Sequence, residues 1–99
     1  MSLHKVRFSV TIYTEQAKAW DKALEVGATT GKHFPCVEEV TATAIITSCE
    51  EGCYHVPLDF TIDAVSYEAA LVEAEVVRLW MRSELDVDSM IILKKIQGR

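Results

Sequence analysis

Long apolar runs, cysteine and basic residues are all scarce in this chain of 99 residues. Without an apolar run of about 18 residues, the sequence predicts no transmembrane helix. Residues 1–16 also lack an apolar stretch of signal-peptide length. Three cysteines are an odd number, which does not suggest the disulfide framework of a secreted protein. We therefore expect a reduced, cytoplasmic protein with no membrane partner.

The shortage of basic residues leaves a net charge of −5, from 15 acidic residues against 10 Lys plus Arg. Because a negative protein repels phosphate backbones, this balance argues against general nucleic-acid binding. Hydrophobic residues make up 49% of the chain and charged residues 25%, an ordinary globular composition. The length predicts a single domain, residues 1–99.

Only four glycines and two prolines interrupt the chain, so its elements are read from hydrophobic periodicity. Alternation predicts strands over residues 5–13, 37–47, 54–63 and 87–96. The inward set of the second strand is predicted as Val40, Ala42, Ala44 and Ile46. Helical spacing predicts a first helix over residues 15–26, capped by Thr14 and stopped by Gly27, then a loop over residues 28–35. A second helix is predicted over residues 67–83, capped by Ser66.

This order predicts an α+β fold of the ferredoxin-like βαββαβ type, with two helices on one face of a four-stranded antiparallel sheet. Pro57 conflicts with that prediction, because this topology makes the third strand central and proline cannot donate to a sheet. Either Pro57 lies near an unpaired strand start or a bulge, or the strand order differs.

The thiols and imidazoles suggest a metal or thiol site at residues 49–55, with Cys49, Cys53 and His55 as candidate ligands. His33 and Cys36 would lie at the far end of the strand over residues 37–47, so four ligands do not converge. Cys49 and Cys53 flank a three-residue turn that a disulfide could close. We expect them instead to be small hairpin residues. No cofactor is predicted.

Two glycines and a lysine, Gly27, Gly31 and Lys32, faintly resemble a phosphate-binding loop. Such a loop has one more residue between its glycines and opens a helix, whereas this segment follows one. We reject that interpretation.

The second predicted helix carries two apolar stripes with Glu73 between them. One stripe should face the sheet and the other a partner. Glu73 at such a seam could be desolvated, with the raised pKa that general acids require, but we favour the interpretation that it lies at the edge of the core and reaches water. The first stripe consists of Val72, Val76, Leu79 and Trp80. The second consists of Ala70, Ala74, Val77 and Met81.

The outer face of the sheet is a second candidate site, with Arg7, Tyr13, His55 and Asp59 as its polar groups. An RNA-binding domain of this fold stacks bases on aromatic residues of its central strands. Here those positions carry Arg7, Ser9, Asp59 and Thr61, which argues against RNA recognition.

The last strand is apolar on both faces, because Met90 and Ile92 alternate with Ile91 and Leu93. Burial on both faces needs a second covering layer, which a partner subunit would supply. The leading hypothesis is therefore a non-enzymatic, self-associating interaction module, most simply a homodimer. One alternative is a small enzyme or ligand-binding domain on the outer sheet face or at the subunit seam, with His55 and Glu73 as catalytic candidates. The other is the thiol or metal site at residues 49–55.

Overall fold

The computed structural model describes residues 2–42 and 46–93. They form two helices and a five-stranded antiparallel sheet. The strands are β1 (Ser2–Tyr13), β2 (Val37–Ala42), β3 (Thr47–Glu50), β4 (Cys53–Ala64) and β5 (Ser89–Ile92). The helices are α1 (Gln16–His33) and α2 (Tyr67–Glu84).

The two long strands β1 and β4 form the centre of the sheet, in the order β2-β4-β1-β5. They pair without a register shift from Ser2 opposite Ala64 to Tyr13 opposite Cys53. Because side chains alternate along a strand, this continuous register keeps all the predicted apolar residues of both strands on one face. That face is buried: Val6, Phe8, Val10, Ile12, Val56, Leu58, Phe60 and Ile62.

Both helices cover this apolar face through small side chains, which let the helices approach the sheet closely. The rings of Phe8 and Phe60, fully buried and 4.6 Å apart between centroids, lie at the centre of the core. α1 buries Ala19, Ala23, Gly27 and Thr30, and α2 buries Ala70, Ala74, Val77 and Met81. The second of the two predicted α2 stripes therefore faces the sheet.

The prediction of a four-stranded sheet is wrong in one respect, because the strand expected over residues 37–47 is two separate strands. β2 ends at Ala42, opposite Leu58, and β3 begins at Thr47, opposite His55, so Pro57 lies opposite the interval between them. The amide of Asp63 donates to Cys36 O on the β2 side of β4. Alternate residues of a strand direct their amides to the same side, so the backbone nitrogen of Pro57, like that of Asp63, faces away from β1. The missing N–H of Pro57 therefore costs no hydrogen bond between β1 and β4.

The first helix is longer than predicted, because it runs through Gly27 and on to His33. Gly27 is not a stop: its α-carbon faces β2, where an added Cβ would lie 2.7 Å from Val40 Cγ1. Residues 28–33 of the expected loop are helical, because this close packing outweighs their weak helix propensity, whereas residues 34–35 follow the helix. Thr14 is not the cap either, since Glu15 occupies the N-cap position.

The second helix begins as predicted, with Ser66 Oγ accepting a hydrogen bond from the amide of Ala69. It ends at Glu84, one residue beyond the prediction. Of the last predicted strand, residues 89–92 form β5, and positions 94–96 lie outside the described residues. Ala44, one of the predicted inward residues of the second strand, also lies outside them. Val40, Ala42 and Ile46 of that set pack against the core. Neither described helix is long and apolar enough to cross a membrane.

Candidate functional site

The helix face that points away from the sheet on α2 is apolar. Val72, Val76 and Leu79, which we call the α2 stripe, are 65%, 48% and 52% exposed. At 3.6 residues per turn these three side chains share one face, opposite the buried Ala70, Ala74, Val77 and Met81. The other predicted stripe is thus left without cover among the described residues.

Charged side chains border the α2 stripe on the side of β5. Arg78 donates to both carboxylate oxygens of Glu75, and these hydrogen bonds lower the pKa of Glu75. A cleft of about 470 Å³ separates this border of α2 from β5. The α2 stripe therefore has a charged border on the side that faces β5.

Trp80 borders the α2 stripe on the other side and is not part of its exposed surface. Its ring stacks on His33 at the end of α1, with centroids 4.4 Å apart, and meets Phe34 edge-on at 5.6 Å. Because His33 and Trp80 are far apart in sequence, periodicity within one helix cannot reveal this contact. Trp80 therefore ties α2 to α1.

The outward face of α1 is polar, in contrast to that of α2. Its exposed residues include Lys18, Asp21, Glu25 and Lys32. Both helices cover the same sheet, so the contrast does not arise from the fold. It indicates that water covers α1, whereas α2 presents a surface suited to an apolar partner.

Glu73 lies at the edge of the helix layer, half-buried, with Oε1 4.0 Å from Cys36 Sγ. Burial raises the pKa of the Cys36 thiol, and the carboxylates of Glu73 and Asp63 raise it further. Glu73 is on the helix side of the sheet and His55 on the outer face. The structure thus does not bring the two catalytic candidates together.

On the outer face, Arg7 and Asp59 are directly opposite each other on the two central strands and form a two-pronged ion pair. Arg7 Nε donates to Asp59 Oδ1 at 2.8 Å and Nη2 donates to Oδ2 at 3.2 Å. These hydrogen bonds, and then the charge of Asp59, raise the pKa of Arg7. The Asp59 side chain is only 10% exposed, so its carboxylate relies on such partners.

The other polar candidates lie farther along the same face. His55 Nδ1 is 3.2 Å from Thr11 Oγ1, its cross-strand neighbour. That pair is four residues along β1 from Arg7, about 13 Å at the rise of a strand. Tyr13 is 68% exposed at the end of β1. The four predicted outer-face residues therefore form a row and do not converge on one point.

Apolar residues of the last strand border this outer face. Met90 and Ile92 are 67% and 45% exposed, whereas Ile91 packs against the core. A cleft of about 320 Å³ is lined by Lys5, Arg7, Asp59, Ile92 and Leu93. Two of the predicted ligand-binding residues, Arg7 and Asp59, thus share one cleft with apolar side chains.

The structure joins Cys49 and Cys53, whose pairing the sequence leaves open, in a disulfide across the β3–β4 turn. Their sulfur atoms are therefore not thiolate ligands. In the described part of the chain, no three His, Cys, Asp or Glu residues cluster as a metal site would require. The spacing of the turn shows only that a Cys49–Cys53 disulfide is sterically feasible. The bond forms because β3 and β4 bring the two sulfur atoms together.

Thiol counting tests this bond. In denaturant without reductant, Ellman's reagent is expected to titrate one thiol per chain, Cys36, and after reduction all three. In the native protein, Cys36 should react more slowly than in denaturant, because it is half-buried and its raised pKa leaves less thiolate. Three thiols in unreduced protein would show that the disulfide does not form.

Comparisons of the chain with protein-family models, with curated proteins and with solved structures find no match.

Proposed function

We propose that this chain is a non-enzymatic interaction module that self-associates as a homodimer. The observation that carries the proposal is the α2 stripe, in which Val72, Val76 and Leu79 are each about half-exposed or more. Three such side chains at helical spacing form a continuous apolar surface on the outward face of a helix. Surfaces of this kind mark interaction sites.

The size of the stripe predicts a moderate affinity. Fully burying a valine or leucine side chain contributes about 1.5–3 kcal/mol. Covering the exposed part of three on each of two copies would contribute roughly 5–10 kcal/mol, which is comparable to the cost of association and leaves little surplus. Flanking contacts must therefore add to the interface, and we expect a dissociation constant of roughly micromolar size.

Two finer predictions belong to this proposal. We take β2 and β3 as one ferredoxin-like edge strand interrupted opposite Pro57, because both pair with the same side of β4. Cytoplasmic location stays a prediction. Oxidising compartments favour a disulfide such as Cys49–Cys53, whereas the unpaired Cys36 is more typical of a reducing one.

A charged residue in the α2 stripe tests the proposal. Val76→Glu is expected to raise the dimer dissociation constant at least about tenfold, because it places a carboxylate in a desolvated interface. The matched control is Ala28→Glu, which adds the same charge at an exposed position of α1 and should leave the constant unchanged. Sedimentation equilibrium over a range of concentrations measures both, with circular dichroism confirming that each variant folds.

Equal dissociation constants for Val76→Glu and the unmodified chain would contradict the proposed interface. Equal weakening by Val76→Glu and Ala28→Glu would show that net charge, and not the α2 stripe, controls association.

The cleft at the end of β5 favours a second candidate function, the binding of a small ligand. Its volume of about 320 Å³ and its mixture of apolar and charged lining residues match the lower range of ligand sites. Native mass spectrometry separates the two functions, because a bound ligand adds mass that denaturation removes, whereas a dimer doubles the chain mass.

A further inference from the structure

Four charged residues that flank the α2 stripe are ordered by sign, and the exposed Glu84 at the end of the helix is not one of them. Glu68 and Glu75 occupy the first half of the helix, and Arg78 and Arg82 the second half. Glu68 and Arg82 are placed almost symmetrically about Val76, and so are Glu75 and Arg78. The apolar residues follow the same symmetry, since Val72 and Leu79 flank Val76 on either side. When α2 is placed against an antiparallel copy of itself, acidic residues therefore lie opposite basic residues, and apolar residues lie opposite apolar residues.

From this pattern, and resting on the proposed self-association, we infer that the partner of α2 is α2 of a second copy, packed antiparallel about a two-fold axis at Val76. An isologous interface requires a surface that is complementary to itself, which this arrangement provides. Val72 of one protomer would meet Leu79 of its partner, with Val76 packed at the axis. Glu68 of each protomer would lie beside Arg82 of the other.

A parallel arrangement of the two helices does not fit the same residues. It would place Glu68 beside its own copy and Arg82 beside its own copy, so like charges would meet at both ends. The antiparallel arrangement also opposes the two helix dipoles. Charge therefore selects the orientation, while the α2 stripe provides the contact.

In the single chain these charges have other partners, which the interface would have to share or replace. Arg82 contacts Asp86 at 3.0 Å and Asp88 at 2.8 Å. All three side chains are more than half-exposed, so these pairs contribute little to stability. Arg82 can therefore exchange these partners for Glu68 of another protomer with little loss of stability.

A charge-reversal cycle tests the orientation. Glu68→Arg and Arg82→Glu, made singly, are each expected to raise the dimer dissociation constant about tenfold at low salt, because each reversal affects two symmetry-related pairs. The double variant should return to within about threefold of the unmodified chain. Raising the salt concentration should reduce the difference, since the pairs lie at the rim.

Engineered cysteines provide a second readout that does not depend on charge. In a Cys36→Ser background, Val76→Cys should cross-link two chains under mild oxidation, because the residue lies at the axis. Val72→Cys should not, because the two copies of residue 72 would be about 12 Å apart along the helices, beyond the reach of a disulfide.

The outcomes separate the two proposals. The antiparallel arrangement would be overturned if the double variant had a dimer dissociation constant as high as the single variants, or if both cysteine variants formed cross-linked dimers. Either result would leave self-association itself intact. An unmodified chain that is monomeric throughout would overturn the proposed function itself.

Discussion

Replacing Arg7 with methionine is expected to lower the free energy of unfolding by about 1–3 kcal/mol, because it removes the guanidinium that contacts both oxygens of a buried carboxylate. The Asp59 side chain is only 10% exposed, so water cannot replace the lost partner freely. Removing one member of a fully buried pair costs about 3–5 kcal/mol, and the 43% exposure of the Arg7 side chain reduces that figure. Urea denaturation of the two proteins measures the difference.

The matched variant is Asp59→Asn, which keeps the side-chain shape and one acceptor for Arg7. It should cost less than Arg7→Met, about 1 kcal/mol, because the guanidinium left behind reaches solvent whereas the carboxylate does not. A larger loss for Asp59→Asn than for Arg7→Met would contradict the view that burial of the carboxylate determines the cost.

Gly27→Ala is expected to destabilise the protein by about 1–2 kcal/mol, although alanine favours a helix over glycine by about 1 kcal/mol. The added methyl would lie 2.7 Å from Val40 Cγ1 and 3.4 Å from Leu58 Cδ1. Val40 is short and β-branched, so it cannot swing its end away as a longer side chain would. α1 would have to move away from β2.

Gly31→Ala, one turn further along the same helix, provides the control. Its added methyl meets Val40 Cγ2 at 3.6 Å and Val37 Cγ1 at 3.8 Å, which are ordinary contacts. This variant should gain about 0.5–1 kcal/mol from reduced backbone freedom in the unfolded chain. Thermal unfolding measures the stability of both variants relative to the unmodified chain. If Gly27→Ala were stabilising, α1 and β2 would not be closely packed at this position.

The central strands could be predicted from the sequence because their signal is local. Val6, Phe8, Val10 and Ile12 alternate without interruption, so the buried face follows from the pleat alone. The extent of α1 could not be predicted in the same way. Gly27 looks like the end of the helix until its close approach to Val40 is known, and that contact depends on a strand that follows later in the chain.

Pro57 shows how a conflict within the sequence can locate a real feature. On the β2 side of β4, the described pairing ends with Ala42 opposite Leu58 and begins again with Thr47 opposite His55, so Pro57 lies between the two paired segments. Proline excludes a donor from one side of a strand, but it does not say whether one strand or two lie on that side. The number of strands was consequently predicted as four, where the structure has five.

The candidate surface on α2 was predictable because helical spacing assigns residues to faces, but the choice of the exposed stripe was not. Val72, Val76 and Leu79 are larger and more apolar than Ala70 and Ala74, yet the alanines face the sheet. Close approach of the helix to the sheet favours small residues at that contact, and only the packed structure shows it. The larger residues are left outward, where a partner can cover them.

The most direct test of the central claim is the mass of the unmodified chain by native mass spectrometry, measured over a range of micromolar concentrations. Self-association through the α2 stripe predicts a species of twice the 11.1 kDa chain mass, whose fraction increases with concentration. A bare monomer at every concentration would contradict the claim, and the α2 stripe would then be an exposed apolar surface that a second copy does not cover.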